Sequence, residues 1–423
     1  LKAKGFPSLA STPLQLKRTR RVAPPSKLQI ATMGKTVQSS CYNVNKFFWK
    51  AFGIWPGTTP VQKYRYYSYF YINFTLTLYM VLLTLNLVYC PKTIELLIPE
   101  VIFYFTEWAV VFKVLMIIRK REKINEVLSL LDCEQFQGID ETATKIIATN
   151  ISRYRKFYGA IAISSNFAFV LLCILPTVYW FLGMNLKLPV CQYYFLSDEV
   201  REKYFYLWLF YLSLGIYGHM TYNVNVDTFI AGLMSMAIVQ LKILKHDFSV
   251  MKLSTPSTLV SCDSTDMNKL KERLEHYALI LKYSSLVQDI ISLTMFIQVC
   301  MAACIICVVA LILVISSEHV IFNLTYLSIM VSQIFIPALL GTVLTHDMSE
   351  TLSFTAYNSD WIPRSESYKR SLKLFVERTH VPIEMTGLKM FPLSLNTFTS
   401  IVKMAYSFFT VVRQMQDQEK TLS

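Results

Sequence analysis

The sequence predicts an all-α membrane protein of seven transmembrane helices, with its N-terminus cytoplasmic and its C-terminus extracellular. Two observations carry that prediction. Hydrophobic residues make up 53% of the 423 and charged residues only 16%, against about 25% charged in a soluble domain, and the deficit is concentrated in long stretches with almost no charge. The Lys and Arg residues also alternate sharply between successive connecting segments, which fixes the orientation.

Each span is a run of roughly 20 mostly apolar residues, the length needed to cross a hydrocarbon core about 30 Å thick. In chain order the runs are 68–90, 96–118, 157–183, one beginning near Tyr204 and passing Ile238, 288–316, 320–344 and 391–412. The helical pattern of span four continues to about Met251, and 266–316 reads as one helix into span five. Helices four and five are therefore expected to project well beyond the bilayer on one side. Expected domains are a cytoplasmic segment 1–66 (with 1–32 disordered, upstream of Met33), spans one to six with their extensions over 67–344, an anchor segment 345–390, span seven over 391–412 and an extracellular tail 413–423.

Segments 1–66, 119–156, 241–286 and 345–390 hold 33 of the 41 Lys and Arg residues, and the alternate segments hold 6. Every connection agrees with the first set being cytoplasmic. That asymmetry also accounts for the net charge of +13, so a nucleic-acid partner is not needed to explain it. The Lys17, Arg18, Arg20 and Arg21 cluster reads as a solvated tail, with contact to anionic lipid as the lesser reading. No secretory signal is read; span one itself directs insertion. Gly34 after Met33 lacks the Ser or Thr a myristoylation motif requires, since Gln38 stands there.

Cys90 and Cys191 fall on the outer side, where a disulfide is open to them, though two buried thiols is the preferred reading. Cys300, Cys304 and Cys307 share a helix face without a histidine, so no metal site is expected. The Asn-X-Ser/Thr triplets at Asn73, Asn150 and Asn323 lie within or beside the membrane or inside the cell, and no glycan is expected. HExxH, GxSxG, Walker A and GxGxxG motifs are missing, and with them any basis for an enzyme or a cofactor. A G-protein-coupled receptor would have the opposite orientation, and the matched broken helices of a secondary transporter are not seen. Glu100 and Glu107 lie seven residues apart on one face of span two, a functional signal at membrane depth. Ligand, vestibule and lysine all remain open as their partners; Lys113, six residues from Glu107, is a poor match on one helix. Asp227 reads as the inner boundary of span four rather than as a buried charge.

The C-terminal third is more specific. Tyr357-Asn358-Ser359-Asp360-Trp361 follows span six, then a basic helical stretch from Tyr368 to His380, then Pro392-Leu393-Ser394-Leu395-Asn396-Thr397-Phe398, then Ile401 through Ala405-Tyr406-Ser407-Phe408-Phe409-Thr410. Over about 356–415 this closely resembles the insect odorant receptor family. Gustatory receptors, the sister group and the alternative reading, end on Thr-Tyr, five residues, Gln-Phe; the frame Ser407-Phe408 to Gln414-Met415 departs from it at three of four positions. The resemblance implies the same inverted seven-helix topology and a ligand-gated, non-selective cation channel at the plasma membrane of a sensory neuron dendrite. The short loop between spans four and five implies a tuning subunit, in a tetramer with the odorant receptor coreceptor.

It further implies that span seven lines the pore, with Val411 at a hydrophobic gate and Gln414 and Met415 beside it. Small, volatile, largely apolar ligands would bind in the outer half of the bundle. The candidates there are Val101, Tyr104 and Phe105 on span two, Cys173, Pro176 and Trp180 on span three, Phe210, Ser213, Leu214 and Tyr217 on span four, Met301 on span five, and Tyr326, Ile329 and Met330 on span six. Helices four to six with residues 366–381 would form a cytoplasmic anchor carrying contacts between subunits, and Leu270, Leu274, Leu279 and Leu281 fit such an interface.

Overall fold

The computed structural model describes residues 37–56, 62–138, 140–183, 191–251, 259–315, 320–347 and 351–422; the 1–32 segment and its basic cluster lie outside them. Among the described residues six helices are long and apolar enough to cross a membrane: Gln62–Tyr89, Leu96–Arg119, Glu141–Ile174, Phe205–Ser249, Thr265–Val309 and Asn323–His346. These are spans one to six. Span seven is the helix Leu395–Leu422, and Asn396, Lys403 and Arg413 lower its hydropathy. Spans one and three each contain a widened π-helical turn, at Asn73–Thr77 and Val170–Ile174, and span three goes on as Leu175–Phe181. The protein is an all-α membrane fold of seven transmembrane helices.

Span four runs unbroken for 45 residues from Phe205 to Ser249, about 68 Å at 1.5 Å per residue. Its packing partners are spans one, two, three, five and six and the short helices Asn43–Ala51 and Leu352–Tyr357. Over 218–241 it is covered on every side and has no polar face to keep, which accounts for its largely apolar sequence there. Span five belongs to a helix of 57 residues, Leu259–Ile315. Both exceed the hydrocarbon thickness, and their surplus lies at the end that the Lys/Arg distribution assigns to the cytoplasm.

There the two extensions pack side by side. Tyr283 Oη donates to the Leu233 carbonyl at 3.0 Å, and His276 Nε2 meets Gln240 Oε1 at 3.1 Å. Helix Glu366–Thr379, capped by Ser365, inserts Tyr368, Leu372 and Phe375 into the same core, with Phe375 5.2 Å from Phe248 and 5.0 Å from Tyr277. Arg364 pairs with Asp266 in this region, and Lys245 Nζ reaches Asp347 Oδ1 at 2.8 Å. Leu270 is fully buried and Leu274, Leu279 and Leu281 half-buried against this core. Of the leucine row expected at a contact between subunits, Leu270 is thus taken up within the chain, while Leu274, Leu279 and Leu281 keep part of their surface open.

One feature departs from the all-helical expectation. Thr386–Gly387 and Phe391–Pro392 pair as a short antiparallel hairpin, turning through Leu388 and Lys389 at φ 49° and 59°. Two consecutive left-handed residues match the twist of a tight hairpin. Gln288 of span five pins it by mimicking a backbone unit: its amide nitrogen donates to the Thr386 carbonyl at 3.0 Å, and its oxygen accepts from the Thr386 N–H at 2.8 Å. Beyond it span seven is clamped to span six. The Leu395 N–H donates to Thr342 Oγ1 at 2.9 Å. Gly341 approaches the Leu393 carbonyl so closely that a Cβ there would stand 2.0 Å from its oxygen.

Candidate functional site

A cavity of about 180 Å³ lies inside the bundle among spans two, three, four and six. Its walls are Phe103, Thr106, Glu107 and Val110 of span two, Phe157, Ile161, Ser164, Ser165, Ala168, Phe169 and Leu172 of span three, Ile216, His219, Met220, Asn223, Val224, Asp227 and Thr228 of span four, and Tyr326, Ser328, Ile329, Met330, Ser332, Gln333, Ile336 and Pro337 of span six. A mostly apolar enclosure with a few convergent polar groups is the usual form of a small-molecule site. A second hollow of about 380 Å³, between spans one and two, is lined by Leu76, Thr77, Met80, Val81, Thr84, Leu85, Trp108 and Val111. It lacks charged groups, and its Val81 and Leu85 are exposed on the outside of the bundle.

Two ion pairs join span two to span four at the inner cavity. Glu107 Oε2 contacts His219 Nδ1, while His219 Nε2 donates to the Thr75 carbonyl at 3.0 Å. A carbonyl can only accept, so Nε2 carries a hydrogen and the contact at Nδ1 is made through one shared proton. The pair is neutral overall. Lys113 Nζ lies 2.6 Å from Asp227 Oδ1 and 2.5 Å from Asn223 Oδ1. The Lys113 side chain is 1% exposed and that of Asp227 18%. Isolated charges at membrane depth are costly, and pairing removes that cost. Asp227 is therefore the counter-charge of a buried lysine rather than a marker of the membrane boundary, and Lys113 finds its acid on another helix rather than at Glu107.

Glu100 has a different task. It accepts from the Cys191 N–H at 2.7 Å and from Asn86 Nδ2 at 2.9 Å, while Asn86 Oδ1 accepts from the Tyr194 N–H at 3.1 Å. These bonds draw the stretch after residue 190 down between the outer ends of the spans. There Cys191 and Tyr193 take left-handed φ angles of 58° and 52°, uncommon for residues with a Cβ. Both are buried, with Tyr193 5.3 Å from Trp208. Cys90 and Cys191 are both free and buried. Tyr79 fills the space beneath, its ring lying where a Cβ on residue 215 would stand, at 2.3 Å; only glycine fits there.

None of the residues of this plug is among the walls of the cavity. Tyr326, Ile329 and Met330 line it. The other outer-half candidates do not. Tyr104 is half-buried and its hydroxyl lies in hydrogen-bond contact with Thr84 Oγ1 at 3.2 Å. Val101, Ser213 and Leu214 are half-buried within the bundle, and Cys173 is buried in the core beside the plug. Phe105, Phe210 and Tyr217 are exposed on the outside, Phe210 at 67%. Met301 packs with a separate cluster formed by Ala302, Ile305, Met330 and Ile401. The side chains of Pro176 and Trp180 lie outside the described residues. On span four the cavity is centred near residue 222 and the candidates near 214, a difference of about 12 Å at 1.5 Å per residue. On span seven Val411 and Gln414 are exposed, and the side chain of Met415 lies outside the described residues.

Span six connects the cavity with span seven. Pro337 lines the cavity and has no N–H to give residue 333 one turn back. The Gln333 carbonyl accepts instead from Gln298 Nε2 of span five at 3.0 Å. One turn beyond Pro337 come Gly341 and Thr342, which hold Leu393 and Leu395, and Phe335 meets Phe398 edge-on at 5.3 Å.

Residues 93–406 match the profile of the 7tm odorant receptor family. Putative odorant receptor 92a of Drosophila melanogaster is 22% identical over 277 residues, 62% of this chain and 66% of that protein. Odorant receptor Or1 of Anopheles gambiae is 25% identical over 263 residues, 55% of this chain and 61% of that protein. The matched segments thus span less than two thirds of either relative. Among solved structures, the insect olfactory receptor OR5 from Machilis hrabei superposes with a TM-score of 0.73 at 15% identity, covering 88% of this chain and 97% of that one. The same receptor in complex with eugenol gives 0.73 at 14% identity over 89% and 98%. At these identities the likeness is one of fold.

Proposed function

Because this chain belongs to the 7tm odorant receptor family, we propose that it binds a small, volatile, largely apolar molecule in the cavity among spans two, three, four and six. Binding gates a non-selective cation channel, formed as a tetramer with the odorant receptor coreceptor in the plasma membrane. The observation that carries this reading is the continuity of span six, which supplies the cavity wall from Tyr326 to Pro337 and then grips the start of span seven. A ligand that shifts that wall shifts the helix whose exposed face carries Val411 and Gln414. The complex of the Machilis receptor with eugenol supports a small organic ligand for a member of this fold.

Apolar ligands gain about 25 cal/mol per Å² of buried surface, and both ionised pairs on the wall are internally neutralised, so a neutral molecule meets no unbalanced charge. A ring of Val411 side chains suits gating by dewetting, and Gln414 and Met415 beside it suit weakly selective passage. Four copies of Arg413 around a pore would repel cations, which favours a mixed tetramer over one built from this chain alone.

The test is current recording from cells expressing this chain with the coreceptor, against a panel of volatiles. Evoked cation current that requires both subunits is expected. Robust evoked current from this chain alone would remove the argument for a mixed assembly, and silence to the whole panel with both subunits at the surface would remove the receptor reading itself.

A further inference from the structure

Resting on that receptor reading, we infer that this cavity selects ligands that donate a hydrogen bond, alcohols and phenols above the matching ethers and aldehydes, and that Glu107 is the acceptor that reads them. The argument is a count of hydrogens along the wall where spans two, four and six meet. Thr106 Oγ1 spends its hydrogen on the Ile102 carbonyl at 2.9 Å. Its contact with the Tyr326 hydroxyl must therefore be donated by Tyr326, so the tyrosine's hydrogen is spent as well. Thr228 Oγ1 donates to the Val224 carbonyl at 2.7 Å, and Ser332 Oγ to the Ser328 carbonyl at 2.7 Å. Thr106, Tyr326 and Ser332 thus keep no hydroxyl hydrogen for the cavity, and Thr228 Oγ1 is fully buried and accepts from Asn45 Nδ2 at 3.2 Å.

The ionised groups are oriented the same way. Both hydrogens of His219 are committed, one to the Thr75 carbonyl and one to Glu107 Oε2. Lys113 stands behind Asp227, which lines the cavity while the lysine does not. Glu107 is 5% exposed, lines the cavity, and has no donor at Oε1 among the described residues. Whichever atom of the pair holds the shared proton, Oε1 carries lone pairs alone. That leaves an acceptor unfilled on a side chain that is otherwise buried, and a ligand O–H fills it. An ether or aldehyde brings only further acceptors to the same wall. Donors remain on the Ser164, Ser165 and Ser328 hydroxyls and on the Asn223 and Gln333 amides elsewhere in the lining, so preference for a carbonyl ligand is the outcome opposed to this one.

The experiment uses the chain coexpressed with the coreceptor and matched probes: a series of primary alcohols against their methyl ethers and the corresponding aldehydes, and a phenol against its methyl ether. The alcohols and the phenol are expected to act at concentrations about tenfold lower, the effect of one hydrogen bond to a charged group. Glu107→Gln keeps a partner for His219 but weakens the acceptor, and should shrink the preference, read as the ratio of alcohol to ether potency on the same cells, at least threefold. Surface labelling checks folding. Should Glu107→Gln fail to reach the surface, Thr106→Val removes the neighbouring acceptor without touching the ion pair, and should also shrink the preference. Equal potency of both ligand kinds on the unaltered chain, or a preference unchanged in the variant that folds, overturns the inference while leaving the receptor reading standing. Silence to every probe overturns both.

Discussion

Spans four and seven are both single long helices, yet they meet their surroundings in opposite ways. From Gly218 to Leu241 span four is buried on all sides by its own chain, and Phe229 near its middle is 0% exposed between Tyr42 and Trp49, with ring centroids at 5.1 and 4.8 Å. Span seven buries a narrow stripe, Ile401 and Ala405, against spans five and six, and leaves Met404, Tyr406, Phe408 and Val411 uncovered. A chain can complete the environment of span four by itself. It cannot complete that of span seven, whose remaining faces are left for lipid, a pore or other subunits.

The largest effect expected from this contrast is at Phe229. Phe229→Ala should cost about 3–5 kcal/mol, the range for emptying a closely packed aromatic site, and the detergent-purified chain should melt well below the unaltered one. A small loss there would mean that span four is less enclosed than its packing implies.

Of comparable size is the buried charge pair that ties span four to span two. Lys113→Met leaves Asp227 without its partner, and breaking one half of such a pair costs about 3–5 kcal/mol. Adding Asp227→Leu should restore most of the stability, because replacing both partners by apolar groups is often neutral. If the double variant is no better than the single one, the lysine acts through packing rather than through its charge.

This pair also marks how far the sequence could be read. The seven helices were legible because apolar run length is a one-dimensional quantity. The hairpin at 386–392 was not, since it depends on Gln288 a hundred residues away presenting an amide to Thr386. The cavity was legible on span six, at Tyr326, Ile329 and Met330, and less so elsewhere. Nearer the outer ends of the spans the interior is filled by Cys191 and Tyr193, a loop drawn inward by Glu100, and no helical periodicity records that. One signal was present and unused. On span two an acid precedes a base, Glu107 then Lys113; on span four a base precedes an acid, His219 then Asp227. In the assigned topology the two helices run parallel, so complementary orders at similar spacing predict both cross-links.

A smaller effect is expected where span seven is gripped. Gly341→Ala would place a methyl 2.0 Å from the Leu393 oxygen, a backbone atom with little freedom to yield. Overpacking of this kind costs about 1–3 kcal/mol. Because Gly341 sits between the cavity wall and span seven, the ligand response should fall further than the melting temperature suggests. An unchanged dose–response curve in a variant that reaches the surface would show that ligand binding does not act through this joint.

The smallest stability effect belongs to the uncovered face of span seven. Phe408 is 48% exposed, and truncation at such a position ordinarily changes stability by less than about 0.5 kcal/mol. Phe408→Ala should therefore leave the melting of the isolated chain nearly where it was, in contrast to Phe229→Ala. If that face is completed by neighbouring subunits, the same substitution should reduce recovery of the coreceptor in pull-down, or alter evoked current, at equal surface expression. A variant that melts normally, assembles normally and conducts normally would assign Phe408 to lipid and shift the intersubunit face of span seven to Tyr406 or Val411.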